Sequence, residues 1–273
     1  MTVLKNLFNF YLNASIHVAF AAYAFLRITE FYFDLQYNEN LDYFVFFATI
    51  TGYNFVKYAG VAKLHHRSLT ESLKAIQVFS FFCFLAMCYY AYQISVKTLF
   101  FSAPFALLTL LYAIPLLSGF EKNLREISHL KIVVVALVWT GFTVLLPIFD
   151  AEKPLNFEVV TYSIQRFLII IVLILPFDIR DVKYDSISLQ TIPQKIGIQQ
   201  TKRLGIAFLV ISLILEYLLS TSSNVKTPFM LFFFLTILFL VRSKINQSKY
   251  YSSFWVEALP IVWWLLLLGF DNL

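Results

Sequence analysis

The chain has 273 residues, of which 60% are hydrophobic and only 14% are charged. Soluble domains carry about 25% charged residues, so this composition excludes an ordinary soluble protein and indicates an integral membrane protein. The net charge is +5, from 21 Lys and Arg against 16 Asp and Glu, and the position of the basic residues must explain it.

Mostly apolar windows of about 17 to 22 residues follow one another along the chain, each close to the length of a transmembrane helix. They are 16–33, 41–62, 74–95, 98–118, 131–149, 159–177, 204–220, 228–241 and 254–270, the eighth being the shortest. We therefore predict an all-α, polytopic membrane helical bundle with about nine transmembrane helices, as a single domain over residues 1–273.

The basic residues orient these helices, because short loops rich in Lys and Arg stay in the cytoplasm. With the N-terminus inside, the predicted cytoplasmic segments hold sixteen Lys and Arg, and the opposite loops hold three. We predict a cytoplasmic N-terminus, no cleavable signal peptide, and an inner or plasma membrane location if the chain is bacterial. This loop bias accounts for the positive charge, so we predict no nucleic-acid partner.

Three aspartates follow the sixth window, where apolar sequence becomes polar. Asp178, Asp181 and Asp185 are spaced three and four apart, which places them within roughly 60° of one helical face. Such carboxylates suit Mg²⁺, which keeps several waters and bridges a few protein carboxylates to substrate phosphates. The alternative is that Arg180 and Lys183 pair with these acids as exposed salt bridges of little energetic weight.

These residues resemble a known family. Asp178–Asp185 is similar to the DxxDxxxD motif of the UbiA superfamily of intramembrane prenyltransferases, and Thr191–Gly197 is similar to its TxPxxxG segment. A weaker similarity includes Tyr112, near the end of the fourth window. The resemblance covers the whole chain in layout and residues 175–197 in motif. It implies a helical bundle with a cytoplasmic cavity, in which an isoprenyl group moves from its diphosphate to an acceptor.

The first motif of that family, NDxxDxxxD, is expected at the end of the second window but is degenerate here. Asn54 matches the Asn, whereas Phe55, Tyr58 and Ala62 occupy the three Asp positions. In the family both motifs hold Mg²⁺, so the resemblance implies a single metal site on Asp178, Asp181 and Asp185, with one Mg²⁺ ion in preference to two.

Basic residues follow the degenerate motif, among them Lys57 and Arg67. Fixed cations can bind an anionic diphosphate without metal, so they are candidates to replace the missing carboxylates. Lys57 lies inside an apolar run, where a charge is expensive and often functional. The alternative interpretation is that Lys57 snorkels and that Arg67 contacts lipid headgroups.

We therefore predict a UbiA-like prenyltransferase that uses a prenyl diphosphate and an unidentified lipophilic acceptor, aromatic or quinone-precursor acceptors among the candidates, surrounded by membrane lipid. The predicted catalytic residues are Asp178, Asp181 and Lys57. The predicted substrate-binding residues are Asn54, Arg180, Lys183, Arg67 and Tyr112. Two alternatives stay open: a non-catalytic protein that kept the fold to bind an isoprenoid lipid or to assist a partner, and a prenyl-diphosphate cyclase.

Overall fold

The structure is a computed structural model, and it describes residues 2–64, 71–113, 130–184, 190–219 and 222–271. Within these ranges every regular element is helical. The all-α fold class predicted from the sequence is therefore confirmed.

The first half of the described chain forms five helices. They are α1 (Thr2–Asn13), α2 (Ile16–Tyr32), α3 (Glu39–Leu64), α4 (Glu71–Gln93) and α5 (Val96–Ala113). The chain breaks between α1 and α2 at Ser15, whose backbone is left-handed with φ 61°. Side chains of α3 bind to this break.

The second half begins with a helix in three consecutive parts and ends with a helix that starts in a π-helical turn. The elements are α6 (Leu130–Thr140), a π-helical segment (Gly141–Leu145), α7 (Leu146–Asp150), α8 (Phe157–Asp181), α9 (Ile192–Ile196), α10 (Ile198–Leu218), α11 (Ser223–Arg242), a second π-helical segment (Tyr251–Val256) and α12 (Leu259–Asp271). π-helical turns are rare and occur frequently at functional sites.

Six helical stretches of the described chain are long and apolar enough to cross a membrane. They are Leu73–Gln93, Val96–Ala113, Leu130–Asp150, Phe157–Asp181, Ser223–Arg242 and Tyr251–Asp271. The other three predicted windows coincide with α2, α3 and α10, so the count of nine membrane helices is not confirmed. The eighth window was predicted too short, because its helix begins at Ser223 and has 20 residues.

Eight helices form a closed ring. Around it α2, α3, α5, α6, α8, α10, α11 and α12 each pack on the next, and α12 packs on α2. α4 packs on α3 at the periphery, and only 11% of its apolar window is buried, against 67% for α8. We call the end of the ring where α8 ends at Asp181 the inner end, and the opposite end the outer end.

Local sequence explains where the helices near the site begin. The Asn156 side chain caps α8 by accepting a hydrogen bond from the Val159 N–H at 3.0 Å. The TxPxxxG segment forms α9, where the Gln194 side chain accepts from the Thr191 N–H at 2.9 Å. Gly197 then takes φ 80°, a conformation open mainly to glycine, and the chain turns directly into α10.

Candidate functional site

Asp178, the first aspartate of the predicted metal motif, forms an ion pair between two helices. Its residue is only 2% exposed, and its Oδ1 accepts a hydrogen bond from the Lys131 Nζ at 2.9 Å. Lys131 is the second residue of α6, and Asp178 lies in the last turn of α8. A buried carboxylate needs such a partner, because an isolated charge in an apolar interior is very costly.

Asp181, the second aspartate, is paired with its neighbour in the chain. The Arg180 Nε and Nη2 donate to the two Asp181 carboxylate oxygens at 2.7 and 2.9 Å. Both side chains remain more than a quarter exposed. The pair therefore has the bidentate geometry that Arg also uses to bind phosphate, in a place that solvent reaches.

α8 ends at Asp181, so within the described chain the prediction of a shared helical face can be compared with the structure for Asp178 and Asp181 alone. The Tyr184 N–H donates to the Asp181 carbonyl oxygen at 2.8 Å, so the chain turns instead of continuing the helix. The helical-face argument applies to Asp178 and Asp181 alone. Asp185 and Arg67 lie outside the described residues.

Asn54, which matches the first motif of the family, joins three helices. Its Oδ1 accepts from the Ser15 Oγ at 2.8 Å, and its Nδ2 donates to the Ala14 carbonyl oxygen at 3.0 Å and to the Ser80 Oγ at 2.8 Å. The residue is 4% exposed. Asn54 therefore fixes the break between α1 and α2 against α3 and α4.

Two neighbours of Asn54 bind the same break. The Lys57 Nζ donates to the Ser15 Oγ at 2.8 Å, and the Tyr58 hydroxyl donates to the Asn13 carbonyl oxygen at 3.1 Å. Lys57 keeps exposed surface although protein surrounds most of its ammonium group. Tyr58, at a position where the family has Asp, thus has a structural contact of its own.

Glu257 supplies a carboxylate at the inner end of the ring that the sequence interpretation did not assign to the site. It follows the second π-helical segment, and its carboxyl group lies close enough to Lys57 and Arg180 for their charges to act on it. Protein surrounds the carboxyl group, but the residue keeps accessible surface. This combination is expected of a side chain that lines an interior space.

These charged residues form one group, which we call the inner charged cluster. It has three cations and three carboxylates, contributed by α3, α6, α8 and the start of the last transmembrane stretch: Lys57, Lys131, Asp178, Arg180, Asp181 and Glu257. Lys131 and Glu257 are the members that sequence reasoning missed. Each of them is a charged residue at the end of an apolar window, which was the only sequence signal for a site. Residues that merely lie at the membrane interface have the same position, so the signal did not distinguish them.

Two further residues that the sequence predicted for the site, Tyr112 and Lys183, are not members of this cluster. Tyr112 is buried near the end of α5 and lies in electrostatic range of the Tyr53 hydroxyl. Lys183 is exposed, and its Nζ donates to the Asn246 Oδ1 at 3.0 Å. The structure therefore places Tyr112 near Tyr53 at the inner end of α5, whereas Lys183 binds the segment after α11.

Asp178 and Asp181 are the motif carboxylates of the inner charged cluster to which a divalent metal could bind. No group of three His, Cys, Asp or Glu side chains that could hold a metal occurs among the described residues. Mg²⁺ commonly takes one or two protein carboxylates and completes its shell with water and phosphate, so Asp178 and Asp181 fit a single ion. Binding would have to compete with Lys131 and Arg180 for these oxygens.

Solved structures share this fold over nearly the whole chain. A UbiA homologue from Archaeoglobus fulgidus bound to GPP and Mg²⁺ has a TM-score of 0.61 and 14% identity, over 97% of this chain and 100% of that one. The apo structure of a UbiA homologue from Aeropyrum pernix K1 has a TM-score of 0.64 and 15% identity, over 94% and 99%. A structure of digeranylgeranylglyceryl phosphate synthase has a TM-score of 0.57 and 16% sequence identity, over 98% of both chains.

No protein-family model and no curated protein sequence matches this chain. The likeness therefore rests on the path of the backbone, because 14 to 16% identity by itself is low. The shared backbone path over nearly the whole chain confirms the fold that the motif resemblance implied: the chain has the UbiA fold.

Proposed function

We propose that this protein is an intramembrane prenyltransferase that binds a prenyl diphosphate at the inner charged cluster and transfers its isoprenyl group to a lipophilic acceptor. The fold supports this class of function, since a homologue of the same fold was solved with GPP and Mg²⁺. The observation that carries the proposal is that Lys131 and Arg180, from two helices, bind the motif carboxylates Asp178 and Asp181 at the inner end of the ring.

Each cation has a partner that a diphosphate can replace. Lys131 would turn its ammonium from Asp178 toward a phosphate oxygen, and Arg180 would present the donor fork that now holds Asp181. Lys57 would add a third charge from α3, on the side where the family's first motif is missing. Fixed donors of this kind stabilise the charge that develops on a leaving group.

Asp178 and Asp181 would hold one Mg²⁺ ion, which supplies further neutralisation of the diphosphate when bound. In the reaction the bond between the first isoprenyl carbon and the diphosphate oxygen breaks, and the electron pair leaves with the diphosphate. The acceptor then forms the new bond to that carbon and loses a proton. Tyr53 and Trp139, deeper in the ring, offer aromatic faces that can stabilise the allylic cation.

Calorimetric titration of the purified protein in lipid nanodiscs tests the proposal. Geranyl and geranylgeranyl diphosphate are titrated with and without Mg²⁺ into the wild type and into the Asp178→Ala/Asp181→Ala variant. We expect Mg²⁺-dependent binding of at least one diphosphate that the double variant loses, while the control Asp271→Ala, at the outer end of α12, binds normally. Absence of binding by the wild type under all conditions contradicts the proposal.

A non-catalytic isoprenoid-binding protein is the second candidate. Asp178 and Asp181 are already paired with cations, and Asn54 is fully engaged in structural hydrogen bonds, which favours a site that binds without turnover. Phe55→Asp/Tyr58→Asp restores two carboxylates of the family's first motif and separates the two functions. A gain in turnover indicates a decayed enzyme, and an unchanged or reduced rate indicates that the cations have replaced that motif.

A further inference from the structure

The first helix, α1, precedes the first predicted membrane window and has two unlike faces. At about 100° per residue, Val3, Leu4 and Leu7 lie within about 100° of one another around the helix. Lys5 and Asn6 lie on the other side. The helix has 12 residues and is about 18 Å long, too short to cross an apolar layer of about 30 Å. This pattern is typical of a helix at the boundary between an apolar and a polar environment.

The bundle covers the second half of the apolar face of α1. Phe8 packs edge-to-face on Phe254, with ring centroids 5.2 Å apart, and the Tyr11 ring lies 5.3 Å from the ring of His17. The Tyr11 hydroxyl and the His17 Nδ1 are 2.8 Å apart, which is a hydrogen-bond distance. The apolar face of α1 is therefore turned toward the membrane-spanning helices.

The first half of the same face is exposed. Within the described part of the chain, Val3, Leu4 and Leu7 are 71%, 76% and 61% exposed. Leaving three neighbouring aliphatic side chains in water is unfavourable, because each would be stabilised by transfer to an apolar environment. The apolar face of α1 therefore continues beyond the part that the bundle covers.

Hydrogen bonds place the middle of α1 at the level where the last membrane-spanning stretch begins. The Asn9 Oδ1 accepts from the Lys249 Nζ at 2.8 Å and from the Tyr250 hydroxyl at 3.0 Å. These two donors directly precede the stretch Tyr251–Asp271, which is long and apolar enough to cross a membrane. Asn9 therefore lies at the boundary of the apolar layer.

A contact with α4 gives α1 a similar depth on its other side. Phe10 packs edge-to-face on Phe79, with ring centroids 5.5 Å apart. Phe79 lies six residues, or about 9 Å, beyond the start of the apolar stretch Leu73–Gln93. α1 therefore lies between two membrane-spanning helices, at the level of their inner ends, where the surroundings outside the bundle are lipid.

The charges at this level are positive. Lys5 is the only charged residue of α1 and is exposed. Lys249 and Lys74, beside the starts of the two spanning stretches that α1 contacts, are exposed as well. Basic residues in this position attract the anionic headgroups of a membrane surface.

We propose that α1 is an interfacial helix, in which Val3, Leu4 and Leu7 insert into the lipid at the inner end of the ring while Lys5 contacts anionic headgroups. A lipid surface is the one partner that matches the apolar face, the depth and the charge of this helix. α1 ends at the break that Asn54 and Lys57 bind, so the same element contacts both the membrane surface and the inner charged cluster. The inference does not depend on the proposed function.

Electron paramagnetic resonance of the full chain in lipid nanodiscs tests the inference. The variant Cys83→Ala/Cys88→Ala removes both native cysteines, and a nitroxide label is then attached to Leu4→Cys, to Leu7→Cys or to the control Asn6→Cys. Oxygen concentrates in lipid, whereas a nickel chelate stays in water, so the ratio of their collisions with the label reports its depth. Equal melting temperatures of the labelled variants show that each one is folded.

In nanodiscs of phosphatidylcholine and phosphatidylglycerol, the ratio of oxygen to nickel collisions should be at least about threefold higher at positions 4 and 7 than at position 6. The same ratio at all three positions overturns the inference, because α1 then has no lipid-facing side. Immobile labels at positions 4 and 7 that collide with neither reagent overturn it as well, since protein then covers this face.

A second comparison tests the role of charge. In nanodiscs of phosphatidylcholine alone, the contrast between positions 4 and 6 should fall by about half, and Lys5→Gln should have the same effect in the mixed lipid. Asn6→Gln without a label at that position is the matched control, because it changes the polar face and keeps the charge. A contrast that is independent of both lipid charge and Lys5 overturns the headgroup contact of Lys5.

Discussion

Arg166 and Arg180 are both on α8, but the bundle surrounds them differently. Arg166 is 0% exposed, as are Phe25, Tyr162 and Trp263 around it, and we call these four residues the outer plug. Within the described part of the chain, Arg166 donates to neutral groups, including the Phe25 carbonyl oxygen at 2.8 Å. Arg180, in the inner charged cluster, has a side chain 28% exposed and bonds the Asp181 carboxylate. One helix thus carries a fully buried cation toward the outer end and a partly exposed cation at the inner end.

The difference separates two uses of charge within a membrane protein. A buried cation that donates to neutral acceptors on neighbouring helices holds those helices together, since moving a partner leaves a costly unmade bond. A cation that has a carboxylate partner and accessible surface can exchange that partner for another anion. By this criterion the outer plug is structural, and the inner charged cluster is where we propose that the diphosphate binds.

The largest effect is expected at Arg166. Arg166→Met should lower the free energy of unfolding by about 3 kcal/mol, because it breaks a buried hydrogen-bond network that joins α8 to α2. Thermal unfolding of the purified protein measures this change, with Arg242→Met, at the exposed end of α11, as the control. A melting temperature equal to that of the wild type would mean that the outer plug does not stabilise the fold.

The second-largest effect is expected from a substitution of Lys131, which should weaken the binding of the ligand. Lys131→Met should weaken geranyl diphosphate binding by about 10- to 100-fold, because it removes a charge-assisted donor from the cluster. Calorimetry measures the dissociation constant, and the exposed Lys249, whose Nζ bonds the Asn9 Oδ1 at 2.8 Å, provides the control Lys249→Met. Unchanged affinity would reduce Lys131 to a structural partner of Asp178.

A smaller effect of opposite sign is expected at Glu257. Measured at about pH 9, where the carboxyl group is ionised, Glu257→Gln should tighten diphosphate binding by about three- to tenfold, since it removes a negative charge that acts on Lys57 and Arg180. The gain should shrink as salt is added, because ions screen the interaction at accessible sites. Glu158→Gln, in the first turn of α8 at the outer end, is the control. Weaker binding by Glu257→Gln would instead show that the carboxylate holds Lys57 in place.

The smallest effect is expected at Gly197, outside both regions. Gly197→Ala should cost about 1 kcal/mol of stability, because φ 80° is strained for any residue with a Cβ although the site has open space. Affinity for geranyl diphosphate should not change. Gly269→Ala has the same open space without the positive φ, so it should unfold like the wild type. Equal melting of the two variants would exclude backbone strain at Gly197.

Much of the fold could be predicted from sequence because its signals are local. Apolar windows identify membrane helices without reference to any partner, and the TxPxxxG segment matches a short capped helix because Gln194 and Gly197 act on neighbouring backbone. Helix boundaries were less certain: the eighth window was too short, and α8 ended before Asp185. The number of membrane helices depends on packing and charged ends as well as on hydropathy.

The candidate site was predicted only in part, because its pairs are distant in sequence. Asp178 and Asp181 could be named from their motif, but the Lys131 partner of Asp178 is 47 residues away. Lys57 and Glu257 come together from opposite ends of the chain. No local pattern distinguishes such residues from interfacial charges that meet only water and headgroups.

The sequence by itself determined that this is a helical membrane protein with a carboxylate motif at the end of one helix, because hydropathy and spacing are properties of single segments. Only the tertiary structure decided which charges meet. It closed eight helices into a ring, sealed Arg166 among neutral acceptors and brought Lys57, Lys131 and Arg180 beside three carboxylates. Burial and pairing depend on several helices at once, so they arise only when the ring is formed.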